Sequence, residues 1–331
     1  MKIFVTGGTG FIGVPLIKQL VSRGHSVVVL ARNIERAKNE LGLKIANELM
    51  GKISFFAGDL SAEHRLIDGM KGCEAVFNVA GTISYRNCDR TLVRETNVRG
   101  TANVLSAAKK NRVQRLVHTS SIVAVGITWS ENQVLDESAE YNAANLDLEY
   151  FNTKHQGEME VIKSVRDGLD AVIVNPGAVA GFSDDSGRNG NIGSALKMLA
   201  IVPFLLPGGN SWVDVRDVVA GHIAALEKGE TGERYILAAE NISNAEVTKR
   251  IRSARGKKVP SFELPQKWVR ILSYFPLIDQ LAIRNCGFYL YFNSKKAKER
   301  LGLTFRSPWP AMQAMLVDKA ESIKTGRNAI G

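Results

Sequence analysis

Short apolar runs recur along the first 175 residues at Lys2–Val5, Ser26–Leu30, Ile53–Phe56, Ala75–Val79, Arg115–His118 and Ala171–Val174. None alternates strictly between apolar and polar positions. This pattern marks strands covered on both faces, as in a parallel sheet. Between them Phe11–Arg23, Arg90–Lys110 and Leu148–Arg166 carry helical spacing. Strands and helices in alternation predict an α/β fold of the Rossmann type, a doubly wound parallel sheet. After Pro176 a loop is expected over Gly181–Gly193, then a helical run toward Pro203, a helix over Trp212–Lys228 and a strand at Glu233–Ala238. The predicted organisation is a dinucleotide-binding domain of residues 1–176 plus 212–240, with 177–211 plus 241–331 forming a smaller C-terminal substrate-binding lobe.

The first strand runs into Val5-Thr6-Gly7-Gly8-Thr9-Gly10-Phe11-Ile12-Gly13, where a helix begins. That setting is what a dinucleotide fingerprint requires: glycines permit a tight turn, and the free amides of a helix N-terminus bind a pyrophosphate. Gly7, Thr9, Gly10, Phe11, Ile12 and Gly13 are therefore candidate cofactor residues. At the end of the second strand, where NAD enzymes usually hold a carboxylate for the ribose 2′-hydroxyl, the chain has Ala31 followed by Arg32. A guanidinium pairs with a 2′-phosphate that a carboxylate would repel. NADP(H) is expected in preference to NAD(H). Later strand ends add Asp59 and Leu60, to hold the adenine, and Asn78, Val79 and Ala80, whose small size leaves room for the ribose.

Tyr150 and Lys154 stand four apart and share one helix face. An ammonium beside a phenol favours the phenolate, so such a pair can exchange a proton with a substrate oxygen as hydride moves; Tyr150 and Lys154 also count among the candidate cofactor residues, the lysine through the nicotinamide ribose hydroxyls. The same spacing recurs at Tyr291 and Lys295, but without a strand-end serine upstream, and that second pair is read as structural. Ser121, with Ser120 as its rival, ends the fifth strand and can donate a hydrogen bond to a carbonyl. No serine sits in a nucleophile elbow, His118 reads as a core residue, and the five histidines show no metal-binding spacing, so no catalytic metal is expected.

These residues together resemble the extended short-chain dehydrogenase/reductase family, within the NAD-dependent epimerase/dehydratase superfamily, over nearly the whole chain. The resemblance rests on Thr6–Gly13, Asp59-Leu60, Asn78–Gly81, Thr96–Thr101, Thr119–Gly126, Tyr150/Lys154, Asn175–Gly177 and Trp212–Val218. It implies Ser121, five before Gly126, as the third catalytic residue beside Tyr150 and Lys154, and it adds Asn97, Pro176 and Gly177 to the cofactor set. Arg32 and Gly232–Leu237 resemble the dihydroflavonol-reductase-like and hopanoid-associated epimerase-like branch. Asn175 departs from the Arg-Pro pair of many sugar-nucleotide members. The expected activity is NADP(H)-dependent reduction of a ketone or aldehyde, or oxidation of the alcohol. The alternatives are a nucleotide-sugar epimerase or dehydratase with tightly bound NAD(P), and a dinucleotide-sensing protein without catalysis.

Composition narrows the class. The 331 residues are 45% hydrophobic and 23% charged, which excludes disordered and collagen-like chains. Cys73, Cys88 and Cys286 lie far apart and odd in number, as in a reducing compartment. The N-terminus supplies too short an apolar run for a secretory leader, and no stretch is long and apolar enough to span a membrane, so a cytoplasmic protein is expected. The net charge of +10 sits at the C-terminal end: residues 241–331 carry 17 basic against 6 acidic side chains, or +11, and the first 240 carry 26 against 27. A solvated basic face is the plainest reading. An anionic substrate would also fit, whereas no nucleic-acid-binding signature accompanies the charge. The apolar segments Met198–Leu206 and Leu264–Ile283 suggest a cleft for a bulky apolar substrate. Trp268–Phe275 has the character of a peripheral membrane contact, and a homodimer through the Arg90–Lys110 and Leu148–Arg166 helices would fit the resemblance.

Overall fold

A computed structural model describes residues 1–181, 190–272 and 286–316. Seven strands form one sheet in the order β3-β2-β1-β4-β5-β6-β9: β1 Lys2–Thr6, β2 Ser26–Ala31, β3 Ile53–Ala57, β4 Ala75–Asn78, β5 Arg115–Thr119, β6 Ala171–Pro176 and β9 Arg234–Leu237. Every pairing in it is parallel. A smaller sheet is centred on β8 (Gly209–Asp214), with β7 (Ala178–Ala180) and β11 (Tyr289–Leu290) parallel to it and β10 (Glu240–Ser243) antiparallel.

The continuous apolar runs have a direct explanation in the side chains. Successive residues of a strand face opposite sides. Ile3, Val5, Val27, Val29, Val172 and Val174 pack on one face, against the helices Gly13–Ser22 and Val215–Lys228. Phe4, Val28, Leu30, Ala171 and Ile173 pack on the other, against Glu63–Gly69, Gly100–Lys110 and Glu149–Arg166. Both faces are dry, so both alternating sets must be apolar. Phe4 and Phe77 are wholly buried, each worth about 1.5–3 kcal/mol of removed surface.

Several elements differ from the sequence expectation. Trp212–Asp214 is strand rather than helix. The helix begins only at Val215, because the Asp214 carboxylate accepts the Arg216 amide at 2.8 Å and caps it. β8 and β10 therefore join the smaller sheet. Residues 190–193, expected in a loop, belong to the helix Gly190–Ile201; most of that loop, and 273–283 of the apolar segment Leu264–Ile283, lie outside the described residues. In the first 175 residues three helices went unread, Ile34–Gly42, Asn47–Met50 and Glu63–Gly69, and beyond residue 241 so did Asn244–Ala254, Gln266–Leu272, Lys295–Leu301 and Trp309–Ala314. The Arg90–Lys110 helix contains a π turn at Glu95–Arg99, an extra residue in the coil of the kind that often marks a functional position.

The strand order reverses between β1 and β4, where the crossover directions part and a crevice opens at the C-terminal ends. Gly7 closes β1 there with φ +66°, and a Cβ on it would lie 2.7 Å from the Ala80 amide. A Cβ on Gly13 would lie 2.2 Å from the Gly7 carbonyl. The join is pinned beneath: the Thr6 hydroxyl donates to Asn78 Oδ1 at 2.7 Å and accepts the Ala80 amide at 3.1 Å, while Asn78 Nδ2 meets His118 Nδ1 at 3.1 Å. Asn78→Ala strands these buried partners. Urea unfolding is expected to show a loss of about 1–3 kcal/mol.

Candidate active site

A cleft of about 1170 Å3 runs along the C-terminal ends of the main sheet and under the smaller one. Its walls include nearly every residue the sequence nominated: Gly7, Thr9, Gly10, Phe11, Ile12 and Gly13 at one end, Arg32, Asp59, Leu60, Val79 and Ala80 beside them, and Ser121, Tyr150, Lys154, Pro176 and Gly177 further along. Asn78 and Asn97 are the exceptions. Asn78 faces inward to Thr6 and His118. Asn97, in the π turn, is buried behind the wall: its Oδ1 accepts the Thr82 amide at 2.9 Å, and its Nδ2 donates to the Thr82 carbonyl and to Thr153 Oγ1. It holds the Gly81–Thr82 loop against Lys154, whose ammonium lies 3.1 Å from where a Gly81 Cβ would be.

The helix Glu149–Arg166 aims the chemistry. Its first turn is tied down by Glu149, which pairs with Arg94 at 2.8 Å and with Arg90 at 3.1 Å, while Arg90 also grips Asp147 at 2.7 Å. Gly157 lets the helix close on the π turn, since a Cβ there would sit 2.7 Å from the Asn97 carbonyl. Tyr150, Lys154 and Glu158 then follow one another along a single face at intervals of four.

Tyr150 is buried, and burial pushes its phenol up to about 12, against which a hydrogen bond with Ser121 acts. Lys154 donates to the Thr119 carbonyl at 2.9 Å. Burial draws its ammonium down to about 8, and the charge of Glu158 opposes that fall. Glu158, wholly buried, hydrogen-bonds Asn175 Nδ2 and pairs with Arg234 at 3.4 Å. Asn175 Nδ2 also donates to the Ser121 carbonyl at 3.0 Å, so one chain of contacts links Arg234, Glu158, Asn175 and the backbone of Ser121. Ser120, the rival serine, also lines the cleft, but its buried hydroxyl has no partner among the described residues.

The remaining expectations are placed as follows. Burial, then the Lys154 charge and His222, hold His118 neutral at about 3, as a packed core histidine would be. Tyr291 is buried in the smaller sheet while the Lys295 side chain is exposed, so the second Tyr/Lys pair does not converge. Among the described residues no group of three His, Cys, Asp or Glu could hold a metal, and no helix is long and apolar enough to cross a membrane. Sequence reasoning passed over Glu158, whose spacing from Tyr150 and Lys154 was a usable signal. It also passed over Arg36, which lines the cleft beside Arg32 from the first turn of the helix that Asn33 caps. Asn175 gave no such signal, because its role depends on a strand neighbour and a helix brought together only by folding.

The bare glycine turn, the open helix N-terminus and two guanidiniums at the end of β2 suit a dinucleotide with its pyrophosphate at Gly7–Gly13 and its adenosine toward Arg32.

Comparison with known proteins agrees. Residues 3–238 match the NAD dependent epimerase/dehydratase family. A Synechocystis sp. protein, whose name gives it as a candidate dihydroflavonol 4-reductase, is 32% identical over 91% of this chain and 89% of its own. A Stigmatella aurantiaca 4-hydroxy-2-methyl-3-oxo-4-farnesyl-3,4-dihydroquinoline-1-oxide ketoreductase is 34% identical over 72% of this chain and 68% of its own. Among solved structures, gox2253 superposes with a TM-score of 0.78 at 28% identity, covering 98% of both chains. A Streptomyces venezuelae dTDP-glucose 4,6-dehydratase shares the fold, with a TM-score of 0.74 at 21% identity over 96% of both chains.

Lys154 supplies a test of this geometry. Its folded pKa of about 8 lies below the ordinary 10.5. Between those values the unfolded chain binds a proton that the folded chain does not, so stability rises with pH. Lys154→Met lacks this step. Urea titrations are therefore expected to show the wild type gaining on the variant between about pH 8 and 10; a constant difference would contradict the buried ammonium. On sequence and structure together, the chain belongs to the NAD dependent epimerase/dehydratase family, as an oxidoreductase of the extended short-chain dehydrogenase/reductase type.

Proposed function

We propose that this enzyme reduces a ketone or aldehyde with NADPH, or oxidises the corresponding alcohol with NADP+, using Tyr150 as the acid/base. The observation that carries the reading is the meeting of Tyr150, Ser121 and Lys154 on one wall of the cleft, with a phenol that burial keeps protonated at neutral pH. A protonated tyrosine is poised to give, rather than take, a proton. Ser121 donates to the substrate oxygen and steadies the negative charge that gathers there. Lys154, mostly cationic at pH 7, lowers the cost of the phenolate that Tyr150 becomes. When bound, the nicotinamide supplies or accepts the hydride. Arg32 and Arg36 take the 2′-phosphate, which is the basis for preferring NADP(H) over NAD(H).

The substrate end of the cleft is walled by Tyr85, Ile122, Val123, Leu196, Leu199 and Leu290. That surface suits a bulky apolar molecule, in keeping with relatives named for a dihydroflavonol and for a farnesyl-bearing dihydroquinoline.

Two variants test the assignment. Tyr150→Phe removes the proton but keeps the ring; turnover of NADPH with ketones is expected to fall about 10²- to 10⁴-fold, with NADPH affinity unchanged by fluorescence titration. Arg32→Ala is expected to weaken NADPH binding about tenfold, the equivalent of one charge-assisted hydrogen bond, and to leave NADH binding unaltered. Full activity in Tyr150→Phe would remove the assignment. A dinucleotide retained through purification, with no net turnover, would turn the reading to an epimerase.

A further inference from the structure

Beyond the Tyr150 wall, the cleft reaches the face of β8. Side chains alternate along this strand. Ser211 and Val213 turn away from the cleft: Ser211 Oγ donates to Asn241 Oδ1 at 2.5 Å and accepts the Phe292 amide at 2.9 Å, and Val213 enters the core of the main sheet. Asn210 and Trp212 occupy the opposite face and line the cleft. Trp212 is 4% exposed, packs with Leu196 and Leu199, and its indole Nε1 has no hydrogen-bond partner among the described residues. Among the described residues no hydrogen bond engages the half-buried side-chain amide of Asn210 either. A buried N–H without an acceptor is unfavourable, a cost that a phenylalanine at this position would not carry.

We infer that Trp212 Nε1 and Asn210 form a polar subsite for a second oxygen on the substrate, distinct from the carbonyl held by Ser121 and Tyr150. The preferred substrate class is then an apolar ketone whose ring system carries another acceptor: a second carbonyl, a hydroxyl or an ether oxygen. This rests on the ketone-reductase reading above and adds to it a basis for discrimination. The surrounding wall accepts any apolar body of suitable size, so the indole is the group that separates oxygenated from unoxygenated ketones. A site built to hydrogen-bond a ligand oxygen rejects an analogue lacking it, because the donor is then left unpaired in a dry environment.

The test uses the full chain with NADP+ present, so no reduction takes place and the readout is independent of proton transfer by Tyr150. The four tryptophans, Trp129, Trp212, Trp268 and Trp309, give four indole N–H resonances in tryptophan-15N-labelled protein. Trp212→Phe assigns the relevant one, or the three other Trp→Phe variants assign it by elimination should that variant not fold. Two matched pairs serve as probes: 1-tetralone with 6-methoxy-1-tetralone, and 5α-androstan-3-one with 5α-androstane-3,17-dione. The expected result is a downfield shift of the Trp212 indole proton with the oxygen-bearing member of at least one pair and not with its partner, accompanied by about three- to tenfold tighter binding. An indole proton that moves downfield with neither oxygen-bearing ketone, or equally with both members of each pair, overturns the subsite. The Tyr150→Phe turnover assay reports on the reductase reading separately, so a failure of one can be told from a failure of the other.

Discussion

A lysine ammonium has been taken out of water at the centre of this molecule, and much of the architecture answers to that fact. Lys154 is 6% exposed. A charge so placed survives only with partners fixed around it. The Thr119 carbonyl at the end of β5 accepts one of its protons, and Glu158 one helical turn on supplies an opposing charge. Glu158 is itself wholly buried and needs partners of its own, which it finds in Arg234 from β9 and Asn175 from β6. Three adjacent strands and one helix are thus drawn into a single electrostatic account. The same contacts fix the backbone of Ser121 through Asn175, so orientation of the serine is coupled to tolerance of the lysine.

Close backbone approach does the rest. Gly157 brings the Tyr150 helix against the π turn, and Gly81 leaves space for the Lys154 ammonium. A side chain at Gly157 would hold the helix off the π turn, and one at Gly81 would crowd the ammonium under the loop that Asn97 holds in place. The π turn is what presents Asn97 to Thr82 and to Thr153 together. Asn97 works as a strut behind the cleft wall, where the family resemblance had implied a cofactor residue.

The main sheet was legible because burial on two faces leaves unbroken apolar runs, and every strand predicted in the first 175 residues is present. The glycine turn and the Tyr150/Lys154 pair were legible because local spacing was joined to context, a strand end before each; the same spacing without it, at Tyr291 and Lys295, brings no pair together. What could not be read depended on distant partners. Trp212–Asp214 has helix-compatible composition, yet pairing with β7 and β10 makes it strand. Asn78 ends its strand where a cofactor contact is plausible, but the Thr6 hydroxyl and the His118 ring claim its amide from the other side. Asn175 looked like the absence of an arginine; in three dimensions Arg234, from a strand 59 positions later, supplies the cation that reaches Glu158.

The two sheets are not joined by a single linker. The chain passes between them after Pro176, again from Asp214 into the Val215 helix, again between Leu237 and Glu240, and once more where Phe292 leaves the smaller sheet for the helix Lys295–Leu301, which packs into the main core. Swinging one sheet away from the other would bend these passages together, and would tear Ser294 from both the amide and the carbonyl of Ala238. The jaws of this cleft are therefore sewn rather than hinged. A molecule lying between the two sheets is held by walls that several short joins tie together, not by walls that turn about one pivot.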